Sequence, residues 1–104
     1  MYKCLVNGVI GDDARQRVVD GLGRLSAERF GTSDVAVEFV EIPAGRWYTA
    51  GEPSKASMVL GTVPAGTPQA VRVEVMDAIA RLFSEATDTD YHDVMVVAAD
   101  RKGS

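Results

Sequence analysis

The stretch Ser57-Met58-Val59-Leu60-Gly61-Thr62-Val63-Pro64-Ala65-Gly66-Thr67-Pro68 sets the pattern of the whole chain. Its first seven residues are apolar and β-prone, and Pro64-Ala65-Gly66 stops them, so they read as a strand. Thr67-Pro68 then marks a helix start, with Thr67 as N-cap and Pro68 at the first helical position. Val71, Val75, Ile79, Leu82 and Ala86 follow as a core stripe, while Arg72, Asp77, Arg81 and Glu85 face solvent. Thr87-Asp88-Thr89-Asp90 is a polar break. Val94-Met95-Val96-Val97-Ala98-Ala99 is continuously apolar, as a central strand covered on both faces would be.

Upstream the same order occurs once before. Tyr2 to Val9 reads as a strand, punctuated by Gly11-Asp12-Asp13. Asp12 or Asp13 stands where an N-cap belongs, because a carboxylate there accepts free backbone N–H bonds and suits the positive helix end. Ala14, Val18, Leu22 and Leu25 give one helix face; Arg15, Arg17, Asp20, Arg24 and Glu28 give the other. Gly21 and Gly23 interrupt it and are read as points of close packing on a sheet. Phe30 closes the helix, with Gly31 as its left-handed end residue. Val35 to Ile42 alternates as a strand, and Pro43-Ala44-Gly45 turns the chain. Arg46-Trp47-Tyr48-Thr49 reads as a short extra strand or a packed loop, and Gly51-Glu52-Pro53-Ser54 as loop.

The 104 residues suit one domain, 1–104, with pseudo-repeat halves at about 2–42 and 57–99. A content of 46% hydrophobic and 25% charged residues fits a folded chain rather than a disordered one. No apolar run approaches the ~18 residues of a membrane span, and the start does not read as a signal peptide. A net charge of -4 argues against a nucleic-acid partner. One cysteine, Cys4, and one histidine, His92, make neither an internal disulfide nor a structural zinc site, so no metal and no cofactor are expected. A reducing, cytoplasmic setting follows.

The expected fold class is α+β: tandem β-α-β units forming a four-stranded mixed sheet with two helices on one face. Each unit closes by a right-handed crossover, with its two strands parallel. Val35, Val37 and Phe39 cannot share the helix side with Val40, so the other face is apolar as well and an oligomer is expected. Two folds fit this order, the ferredoxin-like dimeric barrel with an antiparallel sheet and the tautomerase (MIF-like) fold, in which three chains close around a channel.

Val37-Glu38-Phe39-Val40-Glu41-Ile42-Pro43-Ala44-Gly45-Arg46-Trp47-Tyr48-Thr49-Ala50-Gly51 resembles the tautomerase superfamily, and within it the branch around cis-3-chloroacrylic acid dehalogenase. The shared features are the strand, the Glu-x-Pro-x-Gly turn, an aromatic and a Gly. Met58 to Pro68 resembles the third strand and loop of that family, and Tyr2-x-Cys4 its first strand. The resemblance implies chemistry at an N-terminal proline, whose secondary amine shuttles a proton, with arginines binding the substrate carboxylate.

The chain departs from that pattern. Tyr2 follows Met1 where the family has proline, and a residue as large as Tyr2 is expected to leave Met1 in place. The family's helix histidine falls near Ser26. Its two loop arginines fall in Pro64-Ala65-Gly66-Thr67, and its last-strand tyrosine falls near Val97. Thr32 matches the threonine after the first helix, and the family's C-terminal catalytic Glu has no counterpart in this sequence.

Three readings follow. In the first, the chain is a divergent tautomerase-like isomerase or lyase that moves a proton on a small enol or keto compound without the proline. Met1 would act there through its α-amine, whose ordinary pKa is about 7.7–8.0, with Tyr2 beside it. Ser26, Thr32, Arg46, Tyr48 and Thr67 would border the substrate, Arg46 and Tyr48 coming from a neighbouring chain. In the second, the chain is a non-catalytic homotrimer that binds a small organic molecule or serves as a scaffold. In the third, it is a ferredoxin-like dimeric-barrel protein. Cys4 reads as a buried strand residue and His92 as a surface one. The expected partners are further copies of the chain and a small organic molecule, with no nucleic acid and no membrane.

Overall fold

The computed structural model describes residues 2–31, 35–43, 48–49, 52–53 and 56–100. Two strand-helix-strand units make up most of them. The first is β1 (Tyr2–Asn7), α1 (Asp12–Phe30) and β2 (Val37–Ile42). A small hairpin, β3 (Tyr48–Thr49) and β4 (Glu52–Pro53), precedes the second unit of β5 (Ser57–Val63), α2 (Gln69–Thr87) and β6 (Val94–Asp100). A 3-10 turn over Tyr91–Asp93 leads into β6. Glu52 and Pro53, expected in loop, therefore form the return strand of the hairpin.

The sheet order is β2-β1-β5-β6. β1 runs parallel to β2, β5 parallel to β6, and β1 antiparallel to β5. This is the mixed sheet expected from the tandem units. It overturns the ferredoxin-like dimeric-barrel reading, whose sheet is antiparallel throughout.

Alternation along the strands sorts the side chains onto two faces. Tyr2, Cys4 and Val6 of β1 are buried, as are Val59 and Val63 of β5. They meet Val18, Leu22 and Leu25 of α1 and Val75, Ile79 and Phe83 of α2 in one core cluster. Burial of the Phe83 side chain alone contributes roughly 2–3 kcal/mol. The register places Leu5, Val40, Ile42, Met58, Leu60, Met95 and Val97 on the opposite face. Met95 and Val97 are exposed there, and no described helix covers that face.

Several local readings are corrected. β6 is an edge strand; β1 and β5 are central. Its unbroken apolar run arises because Val94 and Val96 turn toward the core while Met95 and Val97 point to the bare face. Gly21 packs against the other helix rather than the sheet: a Cβ there would meet Leu82 at 3.1 Å, whereas one on Gly23 would meet nothing. The N-cap of α1 is Gly11, with Asp12 and Asp13 inside the first turn, where their charge still favours the helix dipole. β1 stops at Asn7, and Gly8, at φ 91, turns the chain out of the sheet. Phe83, absent from the expected stripe, is fully buried, because α2 rotates its i+4 and i+8 positions after Val75 onto the sheet. Gly31 ends α1 in the left-handed conformation, as expected.

Candidate functional site

Strand directions fix which residues share one end of the sheet. β1 and β2 start at the end where β5 and β6 finish. The C-terminal part of α1 and the first turn of α2 lie at that end too. Tyr2, Ser26, Thr67, Arg72 and Asp100 are among the polar residues at that end.

Tyr2 and Ser26 are brought together. Both are buried, at 3% exposure, and the Tyr2 hydroxyl and Ser26 Oγ are 3.3 Å apart in a buried hydrogen bond. The ring lies on the helix side of the sheet because Tyr2 pairs with Val37 and Gly61, which face the same way. Gly61 makes the room: a Cβ at that position would stand 2.7 Å from Tyr2 Cε1. The hydroxyl pair is closed off from solvent.

Thr67 does not cap α2. Its Oγ1 donates to the Pro64 carbonyl at 2.6 Å, its backbone N–H bonds the same oxygen, and Gly66 sits at φ 82 between them. The positive φ at the third position of Pro64–Thr67 suits glycine, and the hydroxyl is used in closing this turn. The cap residue is Pro68, and α2 begins at Gln69.

Arg72 is the residue that sequence reading missed. Its position in the helical pattern predicts the solvent face, but its side chain is only 19% exposed. Nη1 donates to the Ala98 carbonyl at 2.9 Å, Nη2 pairs with Asp100, and Nε is buried with no hydrogen-bond partner. The signal lay in the spacing, since 72, 75 and 79 fall at steps of three and four, on the flank of the core stripe. The guanidinium ties the start of α2 to the end of β6.

Met1, Thr32 and Arg46 lie outside the described residues. Tyr48 opens β3, and its side chain is likewise outside them. Cys4 is fully buried on β1, and burial pushes its thiol up to about 12, so it is no nucleophile at neutral pH. His92 is on the surface, where its backbone N–H donates to Asp90 Oδ1 at 2.9 Å.

The comparisons with known proteins bear on the fold. No protein-family model matches the sequence, and no curated protein matches it. Solved structures do match. Native Ps01740 is 28% identical, with 98% of this chain and 94% of that chain covered and a TM-score of 0.88. N1, a member of the cis-3-chloroacrylic acid dehalogenase family, is 19% identical over 98% of this chain and 75% of its own, with a TM-score of 0.87. A wild-type fused 4-OT that forms a symmetric trimer is 19% identical over 96% and 84%, with a TM-score of 0.86. The chain thus has the tautomerase-superfamily fold, of the 4-OT and MIF-like kind.

Proposed function

We propose that this chain is a divergent tautomerase-fold protein that assembles as a homotrimer and moves a proton on a small enol or keto compound without an N-terminal proline. The site is the end of the sheet where β1 begins. The observation that carries this reading is the placement of Tyr2, the first residue of β1, where the end of α1 and the start of α2 converge, in a fold matched across almost the whole chain.

In this reading the Met1 α-amine is the proton shuttle, since an amine of near-neutral pKa both takes and returns a proton. Tyr2 and Ser26 position the strand start from beneath. Thr32 and Thr67 border the substrate, and Arg46 and Tyr48 of a neighbouring chain complete the wall. Arg72 is engaged by Asp100 and Ala98. The substrate is therefore a weakly charged or uncharged carbonyl compound rather than one gripped through a carboxylate by this arginine. The apolar sheet face supports assembly with further copies, and a single cysteine, which forms no internal disulfide, fits a reducing, cytoplasmic setting.

One observation favours a second reading, a trimeric binder or scaffold without catalysis. The Tyr2 phenol, which could have donated a proton to substrate, is buried in the core against Ser26. Enol–keto exchange of an uncharged carbonyl compound such as phenylacetaldehyde, run beside phenylpyruvate and hydroxyphenylpyruvate, separates the two. The enzyme reading expects exchange that is lost when the α-amine is capped by carbamylation at mildly acidic pH. Exchange indifferent to capping, or none at all, contradicts it and leaves the binder.

A further inference from the structure

The two halves of the chain mirror each other through strand register. Tyr2, first in β1, pairs with Val37, first in β2; Ser57, first in β5, pairs with Val94, first in β6. Because β1 and β5 are antiparallel, Ser57 holds at the opposite end of the sheet the place that Tyr2 holds at its own. The two residues differ in bulk. The Tyr2 ring fills its end against Gly61, whereas Ser57 ends in a single hydroxyl.

A cavity of about 130 Å³ lies at the Ser57 end. Val6, Ile10 and Ala14 form an apolar wall, and Asn7, Ser57, Thr87 and Thr89 a polar one. Val9, also on its boundary, stands 88% exposed, an apolar side chain at the rim with no core to join. No charged residue lines the cavity among the described residues. Its hydrogen-bonding character follows from counting protons. Thr87 Oγ1 donates to the Phe83 carbonyl at 2.7 Å. The 2.8 Å bond between Thr87 and Thr89 must then use the Thr89 proton, which leaves lone pairs on Thr89 Oγ1. Ser57 Oγ accepts from the Asn7 N–H.

We infer that this cavity binds a small uncharged molecule carrying one hydroxyl donor, at a site distinct from the start of β1. Its apolar wall takes the hydrocarbon part, and Thr89 Oγ1 accepts the hydroxyl proton. The apolar cavity of about 150 Å³ known to hold a benzene ring is slightly larger, so a phenol-sized ligand enters ring first and leaves its outer edge at the open rim beside Val9. The inference stands independently of any activity at the β1 start.

The test is titration of the ¹⁵N-labelled full chain with phenol and, in parallel, with benzene. Saturable phenol shifts are expected at the amides of Val6, Val9, Ile10, Ala14 and Ser57, with benzene bound about tenfold more weakly for want of one hydrogen bond. Thr89→Val, which keeps the shape, is expected to bring phenol down to the benzene level. Ala14→Leu, which fills the cavity, is expected to abolish both. Shifts that do not saturate, that spread beyond this cavity, or that show equal affinity for phenol and benzene in the parent chain would overturn the inference.

Discussion

The ring of Tyr2 lies directly over the α-carbon of Gly61, its partner across the β1–β5 ladder, so close that a methyl group on Gly61 would sit 2.7 Å from Cε1 and 2.8 Å from Cδ1. Glycine is required here by the neighbouring ring rather than by backbone conformation. The aromatic ring has no flexible tip with which to yield, so Gly61→Ala forces Tyr2 or the strand to move. We expect a loss of about 1–3 kcal/mol in urea denaturation at fixed chain concentration. In a Tyr2→Leu background the same substitution should cost clearly less, because the two residues share one space. Equal costs in both backgrounds would show that the contact does not govern stability.

The Tyr2–Ser26 bond makes a separate prediction. Tyr2→Phe removes one hydroxyl from a buried pair and leaves Ser26 Oγ without that partner. A loss on the order of 1 kcal/mol is expected. If the phenol instead contributes a proton to chemistry, Tyr2→Phe should depress enol–keto exchange far more than it depresses stability. The two readouts together distinguish a core role from a catalytic one.

Cys4 offers a probe of the central strand. Its thiol is fully buried and pushed up to about 12 by the loss of solvation. At pH 8 the folded protein should react with a disulfide reagent orders of magnitude more slowly than the unfolded chain, at a rate set by opening of β1. Rapid reaction of the native protein would mean that β1 is not held between β2 and β5.

On the far side of α2, Asp77 is surrounded by donors. The Tyr91 hydroxyl and then the Arg81 guanidinium hold its carboxyl below the usual range, and Asp77 in turn holds the Tyr91 phenol above its own. A depressed carboxyl stabilises the fold above the unfolded pKa, and this contribution is lost as pH falls through the folded value. Tyr91→Phe should therefore raise the Asp77 midpoint, read by carboxyl carbon chemical shift, while Arg81 keeps part of the depression. An unchanged midpoint would contradict the hydrogen bond as the leading cause.

Much of the architecture was readable from the sequence because two periodicities recur in the same order. Ser57 to Val63 is a β-prone run stopped by Pro64-Ala65-Gly66 and Val71 to Ile79 steps by four, while the first half sets the helical stripe from Ala14 to Leu25 beside the alternation of Val35 to Ile42. The edge position of β6 was not readable, because an apolar run looks the same whether a helix layer or another subunit covers its outer face. Thr67 misled for a different reason. Thr-Pro is helix-start chemistry, yet the nearer Pro64 carbonyl accepts its hydroxyl once Gly66 bends the chain. At the site, Tyr2 and Ser26 are 24 residues apart, and the room for their contact depends on Gly61, 35 residues beyond Ser26 on the partner strand, so no local pattern encodes it. Arg72 was missed because a charged residue on the flank of an apolar stripe satisfies both a buried and an exposed assignment until its partners, Ala98 and Asp100, are placed.

Assembly is where the account is most exposed. Leu5, Val40, Met58, Leu60, Met95 and Val97 form an apolar face that no described helix covers, and the proposed site takes residues from a neighbouring chain. Native mass spectrometry of the full chain across micromolar concentrations tests this most directly. The account predicts a dominant species of three chains of 11.1 kDa each; a dimer, or a monomer at every concentration, would contradict it.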